Sequence, residues 1–157
     1  MSPVIPTRVV ELLRGPSVMH AGTRDAALRP AHSQVTGAIV HDDRETVTFF
    51  VSESQARRIA SNLEQNGRVA LTIAQTSHEA YQLKGAYVSS RPTADSDYAL
   101  QDSYRIEMIS ALTKFWPEEM VKPMILGHAY RPGVAITFRV EEIFQQTPGP
   151  GAGDKLE

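Results

Sequence analysis

The sequence predicts a mainly β (α+β) domain, a small antiparallel barrel of six strands with helices at its periphery. Two observations carry this expectation. Six short runs alternate apolar and polar residues with the period of two that a half-buried strand shows. Short turn signals separate several of them, the charged HDDRE at 41–45 being the clearest hairpin. Closing such strands into a barrel satisfies their edges, with helices covering what remains. At 157 residues, with no internal repeat, the chain is one ordinary domain.

In chain order, residues 6–13 read as a short opening helix, with Val9, Leu12 and Leu13 on a shared face and Gly15-Pro16 ending it. A first strand follows at 17–21, then a turn at 23–29. Pro30 leads into a long alternating strand over 31–40, one face carrying Ala31, Ser33, Val35, Gly37 and Ile39. The other face, His32, Gln34, Thr36, Ala38 and Val40, starts polar and ends apolar. A strand running from a ligand cleft into a core has that pattern, and so does one whose polar end meets water. The strand at 46–51 sets Val47, Phe49 and Val51 against Thr48 and Phe50.

Ser52 and Ser54 can each accept a backbone N–H and cap the helix expected over 54–66. Its apolar stripe is Ala56, Ile59, Ala60 and Leu63, at i, i+3, i+4 and i+7. Asn66-Gly67 stops it, since Gly takes the left-handed C-terminal conformation without strain. Strands at 69–73 and 82–88 come next. After a break at Ser90-Arg91-Pro92-Thr93, helical spacing runs over 94–127, with Asp95 as a cap and Pro117 opening a second, shorter helix disturbed by Pro123. The last strand is 134–140. The domain is therefore 1–147, and 148–157 is a Pro/Gly-rich tail not expected to pack regularly.

Composition removes several function classes. A net charge of −2 gives no electrostatic reason to expect nucleic acid or an anionic membrane as partner. The chain has no cysteine, which excludes disulfides, thiolate catalysis and cysteine-ligated metal centres. No apolar run approaches the roughly 20 residues of a membrane span, and no signal-peptide core opens the chain, so a cytoplasmic protein is expected. The five histidines form no i, i+4 pair and no short-spaced group on one face, so no metal site is predicted. Neither a G-x-S-x-G elbow nor a G-x-x-x-x-G-K-[ST] loop occurs.

The chemistry that remains sits where the 54–66 helix begins. Ser52, Ser54, Arg57 and Arg58 surround a helix N-terminus, whose N–H groups and dipole favour an anion. The arginine fork suits phosphate. A solvated polar first turn would carry the same residues.

The stretch resembles the core of the pyridoxamine 5'-phosphate oxidase-like family, the FMN-binding split β-barrels. The matching residues are Phe49-Phe50-Val51-Ser52, Arg57-Arg58, Asn62-Leu63, Asn66-Gly67-Arg68-Val69 and Gln82-Leu83-Lys84-Gly85, with Leu28-Arg29-Pro30 and Ser33 upstream. The likeness covers residues 9–88 well and the remainder loosely. It implies a six-stranded split β-barrel, a homodimer that completes the ring site, and FMN as cofactor. By position, Ser52, Arg57 and Arg58 become phosphate ligands. His32, Ser33 and Gln34 line the strand beside the ring or ribityl chain, and Gln82 and Lys84 approach from the later strand. Two positions depart from the family: Ile59 stands where many members carry a lysine, and Ser33 where the oxidase proper carries an arginine. A flavin-dependent oxidoreductase acting on a small molecule is the function implied, with no catalytic acid or base identified. A flavin, deazaflavin or haem carrier without turnover, and a cofactor-free structural dimer, are the alternatives left open.

Overall fold

Alternation along the strands puts Met19, Ala21, Val35, Val69, Leu71, Ile73 and Leu83 on one face, and that face is buried. The computed structural model describes residues 2–157. Its elements are α1 (Thr7–Arg14), β1 (Val18–Arg24), β2 (Pro30–Val35), β3 (Ala38–Val40), β4 (Thr46–Ser52), α2 (Glu53–Asn66), β5 (Arg68–Ala74), β6 (Ala80–Pro92), α3 (Asp95–Leu112), α4 (Glu118–Leu126) and β7 (Gly133–Gln145). All strands join one antiparallel sheet in the order β2-β1-β5-β6-β7-β4-β3. Its inner face packs on Val9, Leu12 and Leu13 of α1 and on Ile59 and Leu63 of α2, and Phe49 meets Phe138 edge to face at 5.9 Å.

The strand count corrects the expectation of six. The long strand expected at 31–40 is two, β2 and β3, divided at Thr36-Gly37. Gly37 has φ +122°, which extended L-residues do not adopt, and a Cβ there would stand 3.1 Å from Leu100 Cδ2. Through this joint the chain passes from one edge of the sheet to the other, since β2 and β3 are its two end strands. Thr36 N–H donates to Phe50 O at 2.9 Å and Phe50 N–H to Gly37 O at 3.1 Å, but no ladder joins β2 to β3. The sheet is thus split there: it does not close into a full barrel, while the split form that the resemblance implies is consistent with it.

Four smaller differences have local causes. β4, expected to be half-buried, is covered on both faces from Val47 to Ser52. On α2, Ala60 is exposed and Asn62 is buried in its place, donating to Thr23 Oγ1 at 3.0 Å. The two helices expected over 94–127 are α3 and α4, but the cap of the first is not Asp95: Ala94 holds that position, its N–H donating to Asp97 Oδ2 at 2.7 Å. Residues 153–156 double back on β7: Gly153 N–H donates to Gln145 O, Leu156 N–H to Ile143 O, and Lys155 pairs with Phe144. Glycines with positive φ at 149, 151 and 153 permit that return. No helix among the described residues is long and apolar enough to cross a membrane.

β6 and β7, 13 residues each, form the longest ladder, and the pairing shifts where Lys84 faces Glu142 but Gly85 faces Val140. Glu141 is the extra residue of this bulge. There β7 passes so close that a Cβ on Gly85 would lie 1.9 Å from Arg139 O. Gly85→Ala must therefore push two central strands apart, an overpacking that costs about 3 kcal/mol or more. The expected result is a thermal midpoint lower by roughly 6–12 °C. A midpoint unchanged within about 2 °C would show that the backbone approach is looser than described.

Candidate functional site

The first turn of α2 forms where β4 ends, because Ser52 leaves the strand with extended backbone (φ −64°, ψ 152°) and its Oγ accepts Gln55 N–H at 3.4 Å. Gly67, at φ +63°, ends the helix. Ser52 is buried and occupied with this cap, its Oγ lying 3.2 Å from that of Ser54. A second first-turn donor is also engaged, since Glu53 N–H donates to Pro132 O at 2.9 Å. What this turn offers an anion is the exposed Ser54 and the two exposed arginines.

Those arginines do not share a flank. Consecutive helical residues are about 100° apart, whereas residues three and four apart are neighbours. Arg57 is four residues after Glu53, whose carboxylate it approaches at 3.6 Å, and it lines a groove of about 240 Å³ with Ala60, Glu64, Tyr87 and Ser90. Two carboxylates flank it there. Arg58 is four residues after Ser54 and three after Gln55, and has no ion-pair partner among the described residues. Gln55 ties that flank to β2: its Oε1 accepts Gln34 N–H at 2.7 Å, and its carbonyl lies 3.5 Å from Ser33 Oγ. β2 is an edge strand, so Gln34 N–H points away from β1, and with period two so does the N–H of His32.

The structure thus brings Ser33 and Gln34 to the first turn of α2 through Gln55, although 33–34 and 52–55 are remote in sequence, and helical spacing puts Arg58 on the same flank of α2 as Ser54 and Gln55. Ser33 is buried on the inner face opposite Ala21, so its side chain lies beneath α2 instead of beside an outer ligand. His32 and Gln34 belong to the outer face. The register lays out two outer rows across five strands, Gln34-His20-Thr72-Gln82-Phe144 and His32-Gly22-Ala70-Lys84-Glu142. Gln82 and Lys84 share that face but stand three strands from β2, about 14 Å at ordinary strand spacing. Within one chain they do not reach the α2 turn. Ile59 is fully buried.

Sequence reasoning missed one pair. His20 Nδ1 and His32 Nε2 meet at 2.7 Å, with ring centroids 4.7 Å apart. The signal was available in the β1–β2 hairpin: with His20 opposite Gln34 and His32 opposite Gly22, the two fall on one face as diagonal neighbours. Such a pair holds one proton between the facing nitrogens. Burial, then the charge of His32, lowers the His20 pKa below its ordinary value. The unfolded chain therefore binds a proton that the folded one resists, and stability rises with pH. This contribution is complete above the ordinary imidazole value of about 6.5 and is lost as pH falls through the lowered one. The denaturant midpoint should fall between about pH 7.5 and 5.5, and His20→Gln should reduce the fall. An equal fall in wild type and variant would contradict this assignment.

Comparisons with known proteins bear on the fold. No family model matches the sequence, and no curated protein does. Solved structures do match. An F420 reductase superposes with a TM-score of 0.58 at 17% identity, covering 88% of this chain and 98% of its own. An FMN-binding protein from Syntrophomonas wolfei gives 0.54 at 9% identity, covering 87% and 82%. A candidate pyridoxamine 5'-phosphate oxidase from Lactobacillus delbrueckii gives 0.53 at 16%, covering 88% and 92%. At these identities the likeness is one of fold: the chain has the fold of the pyridoxamine 5'-phosphate oxidase-like and FMN-binding proteins.

Proposed function

We propose that this chain is an FMN-binding protein, a flavin-dependent oxidoreductase acting on a small molecule as a cytoplasmic homodimer. The observation that carries the reading is the docking of the first turn of α2 on the edge of β2 through Gln55, on the flank of the helix where spacing also puts Ser54 and Arg58. A phosphate needs charged and hydroxyl donors, and Arg58 with Ser54 supplies both. A flat heterocycle with alternating donors and acceptors suits a strand edge, which the backbone of β2 presents at His32 and, where the Gln55 side chain now takes its N–H, at Gln34. The residues present fit such a cofactor, with Arg58 the better phosphate ligand because Glu53 and Glu64 flank Arg57. That an FMN-binding protein has the same fold supports the reading.

Bound FMN supplies hydride or electron transfer, and the protein's part is to hold and orient it. Arg58 and Ser54 anchor the anionic end. The β2 edge aligns the ring, with the Gln55 amide yielding Gln34 N–H or remaining as a shared partner. Gln34 also lines an adjoining cavity of about 170 Å³ with Thr36, Tyr104, Met108 and His128, an apolar chamber beside the same edge. A carrier without turnover is the second reading, to which the largely apolar lining of that chamber (Val18, Met19, Met108, Leu112, Met124 and Ile125) is equally suited. Steady-state oxidation of NADPH or NADH separates the two.

The phosphate assignment is tested with FMN and riboflavin. A hydrogen bond to a charged group is worth about 1.5–3 kcal/mol, and exposure reduces this, so Arg58→Ala should weaken FMN about tenfold. Riboflavin, lacking phosphate, should lose almost nothing, and Arg57→Ala should do less to FMN than Arg58→Ala. Equal losses for FMN and riboflavin, or an unchanged FMN affinity, would remove the phosphate from this turn.

A further inference from the structure

A cavity lies on the outer face of the sheet, lined by β1, β5, β6 and the 25–29 turn. It has a volume of about 480 Å³ and three cationic side chains, Arg24 on β1, Arg68 on β5 and Lys84 on β6. Gly22 and Ala70, neighbours in one cross-strand row, leave its floor open. No carboxylate lines it, in a chain where acidic residues outnumber basic ones, 18 to 16. Two acids stand at its rim. Glu141 takes one nitrogen of Arg68, Nη2 at 2.6 Å, and Glu142 is held by Lys155 at 3.0 Å. The Lys84 ammonium instead lies 4.5 Å over the Phe144 ring, and Arg24 has no ion-pair partner among the described residues. Glu141 and Glu142 offset part of this charge at the rim, and an anion in the groove offsets the rest of the repulsion among the three cations.

The opposite wall is apolar and strained. Leu28 and Pro30 form it, and Leu28 is 65% exposed at φ +63°. The 25–29 turn, closed by Leu28 N–H to Asp25 O and Asp25 N–H to Arg29 O, requires a left-handed residue there, a position that favours Gly or Asn. The same conformation recurs in two other turns at Arg44 and His78, both of which are polar. Leu28 alone combines the backbone strain with an exposed apolar side chain, and strain at such a position points to function.

We propose that this groove is a second ligand site, distinct from the α2 turn, for a small amphipathic anion: a phosphate or carboxylate against Arg24, Arg68 and Lys84, with a flat apolar portion under Leu28. In the oxidoreductase reading it would take an anionic substrate or effector, but the site stands on its own residues whether or not flavin binds.

Calorimetric titration of the full-length protein with 1-naphthyl phosphate, 1-naphthoate, 1-naphthol and inorganic phosphate tests the proposal. 1-Naphthyl phosphate should bind at least about tenfold more tightly than either 1-naphthol or inorganic phosphate, because only it meets both walls. 1-Naphthoate separates the head groups: a phosphate site ranks it below the phosphate ester, a carboxylate site above. Arg24→Ala and Lys84→Ala should each weaken the favoured ester or acid about fivefold, a value set by partial exposure. Leu28→Gly should also weaken it while leaving the thermal midpoint equal or higher, since the backbone strain is relieved. Arg58→Ala, which disables the proposed flavin site, should leave this affinity unchanged, so the two readings fail separately. Absence of binding, equal binding of 1-naphthol, or affinities unaffected by Arg24→Ala and Lys84→Ala would each overturn the proposal.

Discussion

The passage of β7 over Gly85 is the contact on which the rest of the sheet depends. With no side chain at 85, the two longest strands approach closely, and β7 absorbs Glu141 as a bulge. Beyond the bulge, β7 pairs with β4 in unbroken register from Arg139 opposite Thr46 to Gly133 opposite Ser52. That last pair fixes where β4 stops. Pro132 O then takes Glu53 N–H, and α2 starts on the spot. Gly133 has its own constraint, since a Cβ there would meet Tyr130 O at 2.7 Å. Small residues at 85 and 133 thus position the turn that carries Ser54 and Arg58. The bulge serves the outer face too, because it brings Glu141 to Arg68 at the rim of the cationic groove.

Electrostatics then divides the surface by function. Arg57 and Arg58 are adjacent in sequence yet face different neighbours, one in a groove with Glu53 and Glu64 and one on the flank that carries the Ser54 hydroxyl. Elsewhere charge serves architecture. Asp97, almost fully buried at the start of α3, accepts two donors from Arg91 and the Ala94 N–H. The Arg91 guanidinium beside it holds its carboxyl below the usual carboxylate range. This joins the end of β6 to α3, and Tyr104 OH, donating to Ser17 O, joins α3 to the start of β1. Burial raises the Tyr104 phenol, which remains a donor through the neutral range. The α3–α4 pair is anchored by such polar contacts while leaving Phe115, Trp116, Met120 and Met124 exposed.

What was legible in the sequence was local. The cap at Ser52, the stop at Gly67 and the alternation of β1 and β5 each depend on neighbours within one turn or strand, and each stands in the structure. The break at Gly37 was not legible, because alternation continues through it and only the split of the sheet demands its backbone. The exchange of Ala60 for Asn62 on the buried side of α2 depends on Thr23, 39 residues away. Residues 33–34 and 52–55 do converge, but Lys84 and Gln82 lie three strands off, a distance set by strand order and invisible to spacing along the chain. The same blindness hid His20 beside His32 and Arg24 beside Lys84.

The central claim, that the edge of β2 and the first turn of α2 hold a flavin nucleotide, is tested most directly by the visible spectrum of the purified protein, with mass determination of whatever denaturation releases. The account predicts a flavin absorption band, present as purified or appearing on addition of FMN, and a released mass equal to that of FMN. A Soret band, or a colourless protein whose addition leaves the FMN spectrum unchanged, would contradict it.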